Sequence, residues 1–289
     1  MMYDIETDLE EGVRCPLCGG EGDAAGGYYD FPPFRVVPCS GCGLWFLSPR
    51  LREEAMRRVY AAGDYFEGGG SDGYSHSSGS YEDQEVALRR TFRHLLSNLA
   101  RRGIAGGRLL EVGAGYGYLL DEAQRHFTSR TGTDYDPRAV TRMRDLGIEA
   151  FEGGAEALPV GARFNLIVTT GVIEHVYQPQ QFVQRLRGHL EEEGWMVAAA
   201  PMMDSFWLRL MGHRWPSFKI PEHIAYYNRR TLGELFRRCG AREVVDIPYP
   251  ATYPLGLVAA KLGLPLPHAI RRLGLWLPST MVAAAARFR

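Results

Sequence analysis

Leu109-Leu110-Glu111-Val112-Gly113-Ala114-Gly115-Tyr116-Gly117-Tyr118 reads as a strand, a tight glycine turn and the start of a helix. Glycine is needed where a backbone turns sharply and must approach a ligand closely. In a parallel sheet such a turn lies at the carboxyl edge, where open α/β folds bind their ligands. A second stretch, Thr131-Gly132-Thr133-Asp134-Tyr135-Asp136-Pro137, places an acid at the end of the next strand. It follows the turn by about twenty residues, and its carboxylate can accept hydrogen bonds from both hydroxyls of a ribose.

Dinucleotides satisfy both signals, but three features point away from them. The spacing is G-x-G-x-G and not G-x-G-x-x-G. Glu111 precedes the glycines, where it would repel a pyrophosphate but not the cationic methionine end of a sulfonium nucleoside. The Tyr-x-x-x-Lys pair of short-chain dehydrogenases is missing, because neither Lys219 nor Lys261 has a tyrosine four residues before it.

Outward from the turn the pattern alternates. Strands are expected at Arg108–Val112, Arg130–Asp134, Ile148–Phe151, Phe164–Thr170, Trp195–Ala200 and Glu243–Ile247, with Met281–Phe288 as a further candidate. Helices are expected at Tyr118–Arg125, Pro137–Leu146, Pro179–Leu190 and Thr231–Cys239. Such alternation indicates an α/β fold with a mostly parallel sheet covered on both faces. An aromatic-rich insertion at 202–229 interrupts it. Upstream, residues 82–102 form an amphipathic helix using Val86, Leu88, Phe92, Leu95, Leu96 and Leu99, and residues 49–66 a shorter one. The Gly/Ser run at 67–80, with Tyr74 and His76, is too polar to build a core and is either a linker or a lid.

Cys15-Pro16-Leu17-Cys18-Gly19 and Cys39-Ser40-Gly41-Cys42-Gly43 are two Cys-x-x-Cys turns. Each points two sulfurs at one place, and together they close a tetrahedral four-sulfur site. Zinc is the expected occupant, mononuclear iron has the same ligand geometry, and redox dithiols are the alternative reading. Four protein ligands leave no open position, which makes the metal structural. A segment this small needs such a staple. Cys239, at a helix end, is read as an ordinary semi-buried thiol. The chain divides on this reading into a zinc ribbon at 1–48, a helical linker with a possible Gly/Ser lid at 49–104, and a ligand-binding domain at 105–289.

Hydrophobic residues make up 45% of the chain, enough for a sizeable core, and the formal net charge is -1. That balance gives no general pull toward nucleic acid. The N-terminus has no apolar signal region, no run suits a spanning helix, and paired cysteines suit a reducing compartment, so a cytoplasmic protein is expected.

Leu110–Gly117, Gly132–Pro137, Gly154-Ala155-Glu156-Ala157-Leu158-Pro159, and Phe164–Val168 followed by Val172-Ile173-Glu174-His175-Val176 resemble the successive motifs of class I S-adenosylmethionine (SAM)-dependent methyltransferases, in order and at family spacing. The resemblance implies a Rossmann-like seven-stranded sheet with an antiparallel last strand. By it, Glu111, Gly113 and Gly115 serve the methionine part of SAM, Asp134 the ribose, Tyr135 the adenine face, and Ala155 and Glu156 the adenine edge. Two positions depart from the family pattern. Gly154 stands where Asp is frequent, and Asn165 follows Phe164 where Asp is usual. The ribbon, followed by Gly43-Leu44-Trp45-Phe46-Leu47-Ser48-Pro49 and then Tyr60 and Tyr65, resembles the start of methyltransferases found with bacterial polysaccharide and natural-product pathways.

A hydroxyl acceptor needs a base, and His175 and His223 are the candidates, each of which could equally be a structural histidine. Their neighbours Glu174 and Glu222 leave open a divalent cation, as in related quinol O-methyltransferases. His213 is an acceptor contact or a surface residue, and Tyr81 would cover the donor. The apolar tail from Leu255 to Phe288 would pack in the core, touch lipid or meet a second subunit, as in a homodimer. The expected activity is O-methylation of a sugar-derived or natural-product hydroxyl. The alternatives are an RNA methyltransferase presenting substrate through its ribbon, which the charge balance disfavours, and a non-catalytic SAM-binding partner subunit.

Overall fold

The computed structural model describes residues 3–61, 81–261, 265–267, 270 and 273–288. Tyr65, Tyr74, His76 and the rest of the Gly/Ser run lie outside the described residues. Contacts group the chain into two units, and neither is one continuous segment. The first comprises Met1–Leu88, Met203–Tyr226 and Ala251–Thr280; the second comprises Arg89–Met202, Tyr227–Pro250 and Met281–Arg289. This grouping differs from the linear 1–48, 49–104 and 105–289 division. The 202–229 insertion falls largely with the N-terminal segment, and so does most of the tail.

The second unit is built on seven strands: β1 (Arg108–Val112), β2 (Ser129–Asp134), β3 (Glu149–Glu152), β4 (Phe164–Thr170), β5 (Leu190–Pro201), β6 (Ala241–Asp246) and β7 (Met281–Phe288). Their order across the sheet is β6-β7-β5-β4-β1-β2-β3. Strands β1 to β5 pair parallel, while β7 runs antiparallel to both β5 and β6. The Rossmann-like seven-stranded sheet is therefore present, with β7 inserted antiparallel between β5 and β6. Leu109, Leu110, Leu166, Ile167, Val168, Met196 and Val197 are fully buried, as expected for strands covered on both faces. Ala198, Ala199 and Ala200 lie opposite Ala284, Ala283 and Val282.

Helix starts follow local chemistry. Asp136 accepts a hydrogen bond from Arg138 N at 2.7 Å ahead of the Pro137–Asp145 helix, with proline in its first turn. Asn228 and Thr231 form a reciprocal capping box on the Arg229–Arg238 helix. The strand β5 begins five residues before the expected Trp195, across a register shift between Leu190 and Trp195. Helices expected to reach Arg125 and Leu190 stop as α-helix at Glu122 and Arg187. In the Glu85–Arg101 helix, Phe92, Leu95, Leu96 and Leu99 are buried as expected, whereas Val86 is exposed. Cys239 is fully buried, not semi-buried, with its thiol 3.7 Å from the Gln180 carbonyl.

The first unit contains a four-stranded antiparallel sheet in the order Ala225–Tyr226, Trp45–Leu47, Phe34–Pro38, Tyr29–Phe31. Its outer strand comes from the insertion. Ala225 pairs with Phe46, and Leu47 N donates to Ile224 O at 3.0 Å. A hairpin of Ala251–Pro254 and Gly274–Leu277 belongs to the same unit. No helix among the described residues is long and apolar enough to cross a membrane.

Candidate functional site

Neighbouring strands β1 and β4 bracket the point where strand order reverses, the crevice at which sheets of this type take a ligand. At the end of β1 the chain passes through three glycines with positive φ: Gly113 (71°), Gly115 (53°) and Gly117 (75°). Here glycine is required. A Cβ on Gly113 would overlap Val172 Cγ2, and one on Gly117 would lie 2.7 Å from Met143 Cγ. The turn is tied to β2 by Gly113 N and Ala114 N, which both donate to Thr133 O at 2.9 and 3.0 Å.

Asp134 closes the arrangement. Its Oδ2 accepts from Gly115 N at 2.8 Å and its Oδ1 from Asp136 N at 3.0 Å. A carboxylate offers about four acceptor positions, so both oxygens can still receive hydroxyl donors. Burial raises the Asp134 pKa, against the pull of those two N–H groups. Glu111 is buried on β1. Its Oε1 is 3.5 Å from Thr170 Oγ1, and its Oε2 meets no hydrogen-bond donor among the described residues. Burial, reinforced by the nearby Asp134 charge, pushes the Glu111 carboxyl well above the ordinary range. An acid held in this way suits a cationic ligand group, which would satisfy the orphan oxygen and restore the charge.

Tyr135 is largely exposed, and its hydroxyl donates to Glu156 Oε1 at 2.7 Å. The same oxygen accepts from Gly154 N at 2.8 Å, and Arg185 lies 3.6 Å from Oε2. Although burial pushes the Glu156 pKa up, the Tyr135 hydroxyl and the other donors hold it below the usual value. Tyr135, Ala155 and Glu156 are thus brought together beside Asp134. Gly154 lies against this bonded pair. A Cβ there would lie 2.8 Å from Glu156 Oε2 and 2.9 Å from the Tyr135 hydroxyl, so a larger residue would displace that bonded pair. Asn165 sits at the opposite end of the sheet, where its Oδ1 accepts from Arg108 N at 2.8 Å.

His175 lies in the short 3-10 turn Ile173–His175 after β4, and the adjoining Glu174 is buried. His223 and Tyr81 belong to the first unit, and both are buried there. His223 Nδ1 is 2.8 Å from Ser217 O. A carbonyl only accepts, so Nδ1 carries a proton. His213 is exposed, in agreement with its reading as a surface residue. It packs edge-on to Tyr29 and tilted to Phe31, with Nε2 accepting from Asp30 N at 3.4 Å.

Cys15, Cys18, Cys39 and Cys42 bring their sulfurs within 4.8 Å of one another. The two turns repeat the same bonds. Gly19 N donates to Cys15 O, and Gly43 N to Cys39 O, each at 2.9 Å, with both glycines at positive φ. Burial pushes the thiols of Cys15 and Cys42 up, the latter to about 11. A divalent cation would relieve that cost by taking the thiolates as ligands, so this set fits a tetrahedral metal.

Sequence reasoning missed several contributors. Thr170 lies two residues beyond Val168, the register partner of Glu111, a relation that appears only once strands are paired. Val172 against Gly113 and Arg185 beside Glu156 are likewise tertiary. Gly132 is tightly enclosed, since a Cβ would overlap Met143 Sδ and approach Leu120 Cδ1 to 2.8 Å.

Residues 84–245 match the family described as Methyltransferase domain. The ubiquinone biosynthesis O-methyltransferase of Cereibacter sphaeroides is 29% identical over 148 residues, covering 47% of this chain and 60% of that protein. The Azorhizobium caulinodans protein of the same name is 27% identical over 158 residues, covering 47% and 62%. The chain thus spans about three-fifths of the length of these curated relatives. Among solved structures, a SAM-dependent methyltransferase from Thermotoga maritima superposes with a TM-score of 0.53 at 18% identity, covering 72% of this chain and 95% of that one. One from Archaeoglobus fulgidus gives 0.52 at 14% identity, with 72% and 98% covered. With a family match over more than half its length and the corresponding fold around the glycine turn, the chain belongs to the Methyltransferase domain family and has the Rossmann-like fold of SAM-dependent methyltransferases.

Proposed function

We propose that the protein is a cytoplasmic enzyme that transfers the methyl group of SAM to a hydroxyl of a small molecule, sugar-derived or of natural-product type. One observation carries the donor assignment. A glycine turn bonded to the Asp134 carboxylate lies beside a buried Glu111 with an orphan oxygen. Oxygen as the acceptor atom is supported by the relatives named as O-methyltransferases. Four thiols gathered as a metal set, with zinc the expected ion, support a reducing compartment.

SAM supplies a methyl carbon already activated by its positive sulfur. The residues' task is therefore binding, alignment and proton removal. Glu111 accepts the donor's ammonium, and Asp134 accepts from the ribose hydroxyls. Tyr135 lies against the adenine, with Ala155 and Glu156 at its edge. Alignment of an attacking oxygen with methyl and sulfur supplies about 7–11 kcal/mol of the barrier. As the oxygen–carbon bond forms, the carbon–sulfur pair stays on sulfur and the hydroxyl proton passes to a base. His175 and His223 are the proposed bases. When neutral, His223 has the suitable tautomer, because Ser217 O holds the proton on Nδ1.

Calorimetric titration with SAM tests the donor site. Asp134→Ala is expected to abolish measurable binding while the thiol cluster still holds its metal; unchanged binding removes the ribose role. His175→Ala and His223→Ala are expected to cut labelled-methyl transfer into acceptor extracts with SAM affinity retained. Full transfer by both leaves neither as the base.

A further inference from the structure

The second Cys-x-x-Cys turn is also the turn of a β-hairpin. Phe34–Pro38 runs straight into Cys39, and Trp45–Leu47 follows Cys42 after Gly43 and Leu44. The two strands pair antiparallel, with Val36 opposite Leu47 and Pro38 opposite Trp45. Cys39 N closes the turn by donating to Leu44 O at 2.8 Å. Against this turn lie the sulfurs of the first one. Cys15 Sγ is 3.5 Å from Cys42 Sγ, and Cys18 Sγ is 3.4 Å from Cys39 Sγ. Thiols alone make weak contacts of this kind, whereas one cation held by all four sulfurs joins the two turns with the free energy of metal binding.

The far edge of Trp45–Leu47 is taken by the insertion. Ala225 pairs with Phe46 and Tyr226 with Trp45, and Leu47 N donates to Ile224 O. Two residues are too few for a strand that stands by itself, so Ala225–Tyr226 keeps its place through that edge and through the rings of Trp215 and Phe218 against Tyr226. His223 immediately precedes this pairing. It is buried, its N donates to Lys219 O at 2.8 Å, and its ring stands edge-on to Tyr226 with centroids 6.2 Å apart. One hairpin strand therefore connects the thiol cluster to His223. All these segments belong to the first unit, while the glycine turn, Glu111 and Asp134 belong to the second.

We propose that metal occupancy of the four thiols controls the order of the insertion at His223. The loaded cluster pins the hairpin and the hairpin holds Ala225–Tyr226; release of the metal opens His223 to solvent and leaves donor affinity intact. The effect on methyl transfer rests on the reading of His223 as a base, and the coupling itself does not.

The zinc-loaded full chain is compared with the same chain stripped by a chelator under reducing conditions. Hydrogen exchange and diethyl pyrocarbonate labelling are both read by mass spectrometry. On stripping, the amides of Trp45–Leu47 and Ile224–Tyr226 should exchange at least about tenfold faster, and His223 should label at least about tenfold faster. Exchange in β1, β2 and β4 and calorimetric SAM affinity should not change, and added zinc should restore the loaded pattern. Cys18→Ser removes a ligand from the turn outside the hairpin and alters no residue between the hairpin and His223. It should reproduce the stripped state. Unaltered exchange at Ile224–Tyr226, or unaltered labelling of His223, in the metal-free chain overturns the proposal. So does loss of protection throughout β1, β2 and β4, which would make the metal a staple of the whole chain. Should exchange and labelling rise as expected while labelled-methyl transfer continues undiminished, the coupling stands and His223 is not the base.

Discussion

Replacing Glu111 with glutamine should change stability and donor binding in opposite directions, and pH separates the two effects. The carboxyl is buried and its pKa stands well above the ordinary 4.5 because of burial and the Asp134 charge. Below about pH 4.5 both folded and unfolded chains hold this proton, and it has no effect on stability. Above that value the unfolded chain releases the proton while the folded chain retains it. Stability therefore falls as pH rises until the raised folded value is passed. The slope for one proton is about 1.4 kcal/mol per pH unit. Glutamine has no proton to release, so the variant should gain on wild type by up to that amount for each pH unit through this window. The amide also brings a buried donor where Oε2 has no partner among the described residues. That adds a constant cost of about 1–3 kcal/mol, which alters the offset between the two curves and not their slopes. Urea unfolding at intervals between about pH 5 and 8 measures the difference. SAM binding should move the other way. The ligand's ammonium favours the ionised carboxylate, so wild type should release close to one proton per SAM, seen as a dependence of calorimetric heat on buffer ionisation enthalpy. The variant should bind more weakly and lose that release. A pH-independent stability difference, or identical proton release by the two proteins, refutes the reasoning.

Gly113→Ala should cost about 1–2 kcal/mol for the left-handed backbone and a further 1–3 kcal/mol for overlap with Val172 Cγ2; adding Val172→Ala should recover only the second part, and strict additivity in urea unfolding contradicts the packing account. Cys18→Ser should lower bound zinc, measured by mass spectrometry, from about one ion per chain toward zero and lower the melting temperature. A stable chain without metal would show that the cluster is not the ribbon's staple. Gly154→Asp should weaken SAM binding despite restoring the residue frequent in the family, because its side chain displaces the Tyr135–Glu156 bond; tighter binding would show that the pair yields at no cost.

The donor crevice was legible because its parts are local. Strand, glycine turn and helix start are consecutive, and Asp134 terminates the next strand, so the turn and the carboxylate converge once the two strands pair in parallel. The thiol cluster was legible for the same reason, each half being a four-residue turn. Boundaries were less so. The early start of β5 depends on a register shift that hydrophobic periodicity does not register, and Val86 fits the apolar helix pattern yet faces outward. The Tyr135–Glu156 bond was hidden because its partners lie 21 positions apart and meet only across adjacent strand ends. Gly154 N donates to the same Glu156 oxygen, so the position that in the sequence alone looks like a lost contact takes part in this cluster.

The four-stranded sheet of the N-terminal region draws one strand from far along the chain. Ala225–Tyr226 is too short to show any alternation, yet it supplies the strand beside Trp45–Leu47. A ribbon ending at residue 48 would leave the backbone of that edge unpaired and open to other chains. The insertion covers it, and the rings of Tyr29, Phe31, Trp215, Phe218 and Tyr226 pack across the join. His223 stands two residues before this strand, its tautomer set by Ser217 of the same insertion. The thiol turns and this candidate base are therefore parts of one folded unit, though about 180 positions separate them. A metal with no chemistry of its own would in this way help determine where His223 is held.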